Sequence, residues 1–154
     1  MTEAIPGGAP VTERILAAVK GWVGTPYRHQ GARKGVGCDC LGLVLGVWRE
    51  VYGTGPEDVP VYARDWAEAV GGDPLMEAAR RHCIERPRGE AGPGDLVLFR
   101  WRAGMPAKHV AILLDPDRIV HACEGKAVVV SRLVPQWRRR IAGAFAFPET
   151  ASNS

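Results

Sequence analysis

The stretch Gly37-Cys38-Asp39-Cys40-Leu41-Gly42-Leu43-Val44 runs on without a break through Leu45-Gly46-Val47-Trp48-Arg49-Glu50-Val51-Tyr52. From Cys40 onward Leu41, Val44, Leu45, Trp48 and Tyr52 recur at helical spacing, which predicts a helix over 40–52 entered through Asp39. Gly42 and Gly46 lie together on another side of that helix. Each costs about 1 kcal/mol against alanine in a helix interior, so a sheet or second element is expected to pack close there. Cys40 stands where coil becomes helix. Unpaired N–H groups and the positive end of the helix dipole favour a thiolate at such a place, and the expectation is a lowered thiol pKa. The same N–H groups could stabilise an oxyanion. A buried structural cysteine is the competing reading of this position. Cys38 has no such placement, and Cys83 and Cys123 read as small core hydrophobes.

Upstream, Val11, Ile15, Leu16 and Val19 follow helical spacing, with Thr12 as the expected N-cap and Gly24-Thr25-Pro26 as the stop. Tyr27 to Gly37 reads as a loop. Downstream, Asp65–Val70 reads as a short helix ended by Gly71-Gly72, and Asp73-Pro74 opens another helix to about His82. Residues 85–94 read as a loop. The period then changes from 3.6 to 2. Residues 95–100, 109–114, 118–123, 128–132 and 141–147 are strands by composition and by the turn residues between them. Helices followed by strands without alternation predict an α+β domain with a mainly antiparallel sheet of about five or six strands. The boundaries read as a loose arm over 1–11, a domain over 12–148 and a tail over 149–154.

A nucleophilic cysteine needs a base, and the chain has four histidines. His29 falls in a loop and His82 at a helix end, where surface or structural roles suffice. His109 and His121 fall in two strands that flank Asp115-Pro116-Asp117. A three-residue connection pairs Leu114 with Arg118 and Ala111 with His121, which sets His109 and His121 as diagonal neighbours on one face, about 7–8 Å apart at the backbone. A four-residue loop would put them on opposite faces. Two imidazoles beside a helix-borne thiol make a triad: His109 takes the Cys40 proton and His121 orients the His109 ring. Asp95, after Gly92-Pro93-Gly94, reads as a turn residue.

Bulk properties exclude more than they assign. A chain of 154 residues fits one domain with its own core. A net charge of +3 favours anionic polymers such as nucleic acid or bacterial wall without naming one. Arg138-Arg139-Arg140 is the only dense basic run and reads as a solvated strand edge or loop. Aromatics are not interleaved with a wider basic stripe, so nucleic acid is not an expected partner. The first ten residues lack the pattern of a secretory signal, so synthesis in the cytoplasm is expected. No segment is long and apolar enough for membrane insertion. The four cysteines are expected as reduced thiols. A metal site built from Cys38, Cys40, Cys83 or Cys123 with His109 or His121 is a further reading, but a single C-x-C falls short of the paired C-x₂₋₄-C spacing that zinc prefers.

Five blocks in order, Thr25-Pro26-Tyr27, Gly37 to Val44, Gly94-Asp95-Leu96-Val97, His109-Val110-Ala111-Ile112 and His121-Ala122, resemble the NlpC-type cell-wall cysteine peptidases. The resemblance covers roughly residues 12–147. It implies a papain-like fold, with the nucleophile at a helix start packed on an antiparallel sheet, and hydrolysis of amide bonds in peptidoglycan stem peptides without a cofactor. Carried over by position, Cys40 is the nucleophile, His109 the base and His121 the orienting residue. Tyr27 and Asp39 fall where relatives shape the substrate pocket, with Asp39 placed to bind a stem-peptide amine. The family commonly has serine after the nucleophile, whereas this chain has Leu41. Asp39-Cys40-Leu41-Gly42 followed by Gly46-Val47-Trp48-Arg49-Glu50 resembles the phage and gene-transfer-agent branch, which implies tail or baseplate proteins as partners and a virion-like tail as the place of action. A catalytically silent tail component, or an amidase or acyltransferase on the same fold, are the alternatives.

Overall fold

The computed structural model describes residues 10–56 and 72–150. The helix expected at 65–70, most of the N-terminal arm and the end of the tail lie outside these residues. Helix α1 spans Val11–Lys20 and buries Val11, Ile15 and Val19. Thr12 is not its N-cap. Pro10 holds that position, and its carbonyl accepts from Arg14 N–H at 3.2 Å. The apolar stripe begins at buried Val11 itself, which draws the first turn back past Thr12. Gly21 closes the helix, earlier than the expected stop at Gly24.

Residues 27–37 are not all loop, because β1 (Ala32–Arg33) and β2 (Gly37–Cys38) pair as a small antiparallel hairpin. Helix α2 spans Cys40–Tyr52 and ends at Gly53, whose φ of 84° only glycine adopts without strain. Gly42 lies against the backbone carbonyl of Gly31, and Gly46 against the indole of Trp22. A methyl group at either would overlap its neighbour. The close elements are therefore the turn before β1 and the turn after α1. Helix α3 (Pro74–His82) follows, with proline in its first turn as expected. Asp73 at its cap position instead accepts from Ala107 N–H at 3.1 Å.

Strands β3 (Ile84–Arg86), β4 (Leu96–Phe99), β5 (His109–Asp115), β6 (Arg118–Ala122), β7 (Val128–Arg132) and β8 (Ile141–Ala146) form one sheet in the order β3-β8-β4-β5-β6-β7. Every pairing in it is antiparallel. β3 corrects the loop expected over 85–94. It is an exposed three-residue edge strand rich in charge, so it carries no apolar alternation. A short helix α4 (Pro135–Arg138) precedes β8, so the basic run Arg138–Arg140 ends a helix and fills a turn.

The sheet has two buried faces. Leu96, Leu98, Val110, Ile112, Val120 and Phe145 join the helices in the main core. Their odd-numbered neighbours Val97, Phe99, Ala111, Leu113 and Ile119 form a second cluster with Leu133 and partly buried Trp137.

Candidate active site

Asp39 sets the start of α2. Its Oδ1 accepts from Gly42 N–H at 2.8 Å and its Oδ2 from Gln30 N–H at 2.7 Å, and the residue is 2% exposed. The first bond is an N-cap, and the second ties the preceding loop to the helix, so Cys40 leaves the first turn at a fixed angle. The backbone N–H groups of Cys40, Leu41 and Val110 lie against its sulfur. They lower its pKa, but burial and the Asp39 charge outweigh them and push the thiol up to about 12. The lowered thiol pKa expected from the helix dipole is thus overturned, because a capped helix start carries its own counter-charge and this one is packed against a sheet.

Val110 locates that sulfur. In β5 the Leu113 N–H points to β4, where it reaches Asp95 O at 2.8 Å, so even-numbered N–H groups point to β6. The β5–β6 register, however, stops at Ile112↔Val120. Beyond it the strands part, and the Val110 N–H meets the thiol of Cys40. The sulfur therefore rises from the helix layer into the opening between two strands.

His109 precedes Val110 in β5, and His121 stands in β6. Their rings meet at 2.8 Å between His109 Nε2 and His121 Nδ1, and His121 Nε2 is 2.8 Å from Ser131 Oγ. The expected register holds in the body of the hairpin, since Ile112↔Val120 and Leu113↔Ile119 lie in the same frame as Ala111↔His121. The expected three-residue turn does not. Asp115 pairs with Arg118 across a two-residue turn, and a bulge at Leu114 absorbs the odd residue. Without that bulge the two-residue turn would shift the frame by one and separate the histidines.

The tautomers depend on which nitrogen of His109 takes the proton. For Nδ1 of His109 to accept a proton, Nε2 must carry the hydrogen and donate to His121 Nδ1. His121 then carries its own hydrogen on Nε2 and donates to Ser131. Burial, reinforced by the neighbouring His121, lowers the His109 pKa to about 3, and burial lowers that of His121. At neutral pH the resting groups are a thiol and a neutral imidazole.

Aromatic rings enclose the pair. Trp101 stacks on His109 with centroids 5.9 Å apart, and Trp137 meets His109 at 6.0 Å and His121 at 5.7 Å edge-on. Neither tryptophan was foreseen, because Trp101 stands in a turn and Trp137 in the four-residue helix α4, both outside the periodic strands. Ser131 was missed too. Its signal was a lone hydroxyl among Val128-Val129-Val130, and His121↔Val129 pairing makes it the diagonal neighbour of His121.

Tyr27 is half-buried, bridges Cys38 in parallel and packs on the main core, which brings it to the strand that leads into Asp39 and Cys40. Leu41 is 8% exposed and turns into the core with Val44, Trp48 and Val110. Asp95 accepts from Gly92 N–H at 2.8 Å and pairs with Arg86 at 3.1 Å, in keeping with a turn role.

The NlpC/P60 family model matches residues 24–145. The murein DD-endopeptidase MepS/murein LD-carboxypeptidase of Escherichia coli K12 is 30% identical over 131 residues, covering 84% of this chain and 60% of that protein. The probable endopeptidase NlpC of the same organism is 30% identical over 116 residues, covering 75% and 64%. The chain thus spans about three-fifths of the length of these curated relatives. Among solved structures, the NlpC/p60 domain of the peptidoglycan hydrolase SagA has a TM-score of 0.62 at 25% identity, covering 88% of this chain and 98% of that one. A lipoprotein-like NLP/P60 protein of Staphylococcus aureus has a TM-score of 0.61 at 25% identity, covering 91% and 44%. By sequence and by its papain-like α+β fold, the chain belongs to the NlpC/P60 family.

Proposed function

We propose that this chain is a cysteine peptidase that hydrolyses amide bonds in the peptide part of bacterial peptidoglycan. The observation that carries the reading is the unbroken line of hydrogen bonds from Ser131 through His121 to His109, the residue before Val110, whose N–H meets the Cys40 thiol. His109 Nδ1 takes the thiol proton as the sulfur attacks the scissile carbonyl. The backbone N–H groups of Cys40 and Leu41 hold the oxyanion. His109 then returns the proton to the leaving amine, and water releases the acyl group from sulfur. His121 and Ser131 keep the His109 tautomer throughout. Tyr27 and Asp39 shape the pocket for the stem peptide, with Asp39 supplying a buried negative charge toward its amine.

Two of the relatives named above support the substrate class, since one is described as a murein DD-endopeptidase and LD-carboxypeptidase and the other as a peptidoglycan hydrolase. The Asp39-Cys40-Leu41-Gly42 sequence, followed by Gly46-Val47-Trp48-Arg49-Glu50, supports delivery on the tail of a phage or gene-transfer particle, with tail or baseplate proteins as partners. Digestion of purified peptidoglycan followed by mass analysis of the released fragments tests the reading. New amino and carboxyl termini within stem peptides are expected. Fragments cut only in the glycan strands, or between sugar and peptide, would contradict it.

A further inference from the structure

Trp101 is part of the lining of a cleft of about 430 Å³ that the proposed chemistry does not use. Arg88, Arg100, Arg102, Arg139 and Arg140 line it, brought together from three separate segments of the chain. Arg140 lies over the Trp101 ring at 6.0 Å, and Trp101 in turn stacks on His109. Arg88 donates to Ile141 O at 3.0 Å. Among the described residues, Arg100, Arg102, Arg139 and Arg140 have no carboxylate partner. Like charges gathered without counter-charge repel one another, so the arrangement favours an anion that binds among them. The cleft volume lies within the usual range for small ligands.

We propose that this arginine cleft binds a carboxylate on the residue that leaves as the amine when the substrate is cut. The inference rests on the peptidase reading and extends it to substrate choice. Guanidinium groups match the planar, two-oxygen geometry of a carboxylate. The leaving side follows from the mechanism, since His109 must reach the departing nitrogen and the cleft begins at the ring stacked on His109. A cleft that shares this ring with His109 suits a group tethered to the scissile bond. It does not suit a long phosphodiester chain, which needs an open basic stripe.

The test uses two stem-peptide substrates that differ only in a carboxylate or carboxamide on the leaving residue. Wild-type protein is expected to cut the carboxylate form with a kcat/KM about tenfold higher or more, mainly through KM. In the Arg102→Gln/Arg140→Gln double variant that ratio falls toward one. Equal rates in the wild type, or an unchanged ratio in the variant, overturn the cleft and leave the peptidase reading intact. A binding measurement on Cys40→Ala protein separates the two. The leaving-side fragment should bind more tightly as carboxylate than as carboxamide, and the double variant should lose the difference. If that preference appears while neither substrate is cut, the peptidase reading fails and carboxylate binding stands. If inorganic phosphate binds as tightly as the carboxylate fragment, the cleft is a general anion site and the assignment is overturned.

Discussion

Ser131 reaches no substrate in the proposed chemistry, yet it ends the hydrogen-bond line that decides which nitrogen of His109 is free. Replacing it with alanine removes one neutral hydrogen bond, worth about 0.5–1.5 kcal/mol, so kcat should fall by about 2- to 13-fold with KM little changed. Ser131→Thr should restore most of the rate, which a merely structural role for Ser131 would not require. Leu41 makes the opposite point. Its side chain belongs to the core, so Leu41→Ser should create no substrate contact and should cost about 2–4 kcal/mol, measured by chemical denaturation. Asp39 influences the nucleophile through charge. Asp39→Asn removes the negative group that helps raise the Cys40 thiol, and the thiol pKa should drop by about half to one unit. Alkylation rates of Cys40 followed against pH would show this, and an unchanged profile would mean that burial alone sets the pKa.

At the scale of elements, the bulge at Leu114 reconciles a two-residue turn with the shared face of the histidines. Deleting Leu114 removes the extra residue and sets Leu113↔Ile119 directly beside Asp115↔Arg118, so His109 and His121 should stay on one face and hydrolysis should persist; loss of hydrolysis with the sheet intact by circular dichroism would contradict this register. Much of this was legible in the sequence. Helix α2 was readable, because Asp39 stands before an apolar 3.6 period that runs to Tyr52. The partnership of the histidines was readable from strand parity, although the two-residue turn and its compensating bulge were not. Bulges leave no periodic trace, since an extra residue in one strand preserves local alternation on either side. The edge strand β3, the β1–β2 hairpin and α4 were missed for a related reason. Each is four residues or shorter, below the length at which periodicity shows, and each is held by neighbours rather than by its own pattern.

For the whole molecule, the buried titratable groups set a pH window of stability. His109 and His121 have folded pKa values below the ordinary 6.5. Below about pH 6.5 the unfolded chain therefore binds protons that the folded one refuses, and stability should fall as the solution is acidified. Cys38, Cys40 and Cys83 are each raised to about 12. Above about pH 9 the unfolded chain loses protons that the folded one keeps, and stability should fall again. Thermal unfolding followed across pH should therefore peak between these limits, with each fully shifted group contributing a slope of up to about 1.4 kcal/mol per pH unit outside them. The same packing that produces this window sets the Cys40 sulfur against the N–H of Val110, the residue after His109 in β5. The most direct measurement of that arrangement is peptidoglycan hydrolysis by Cys40→Ala protein whose circular dichroism and melting confirm a native fold. Release of stem-peptide fragments should fall at least about a thousandfold, toward the uncatalysed background. Hydrolysis persisting at near wild-type rate in that folded variant would contradict the account.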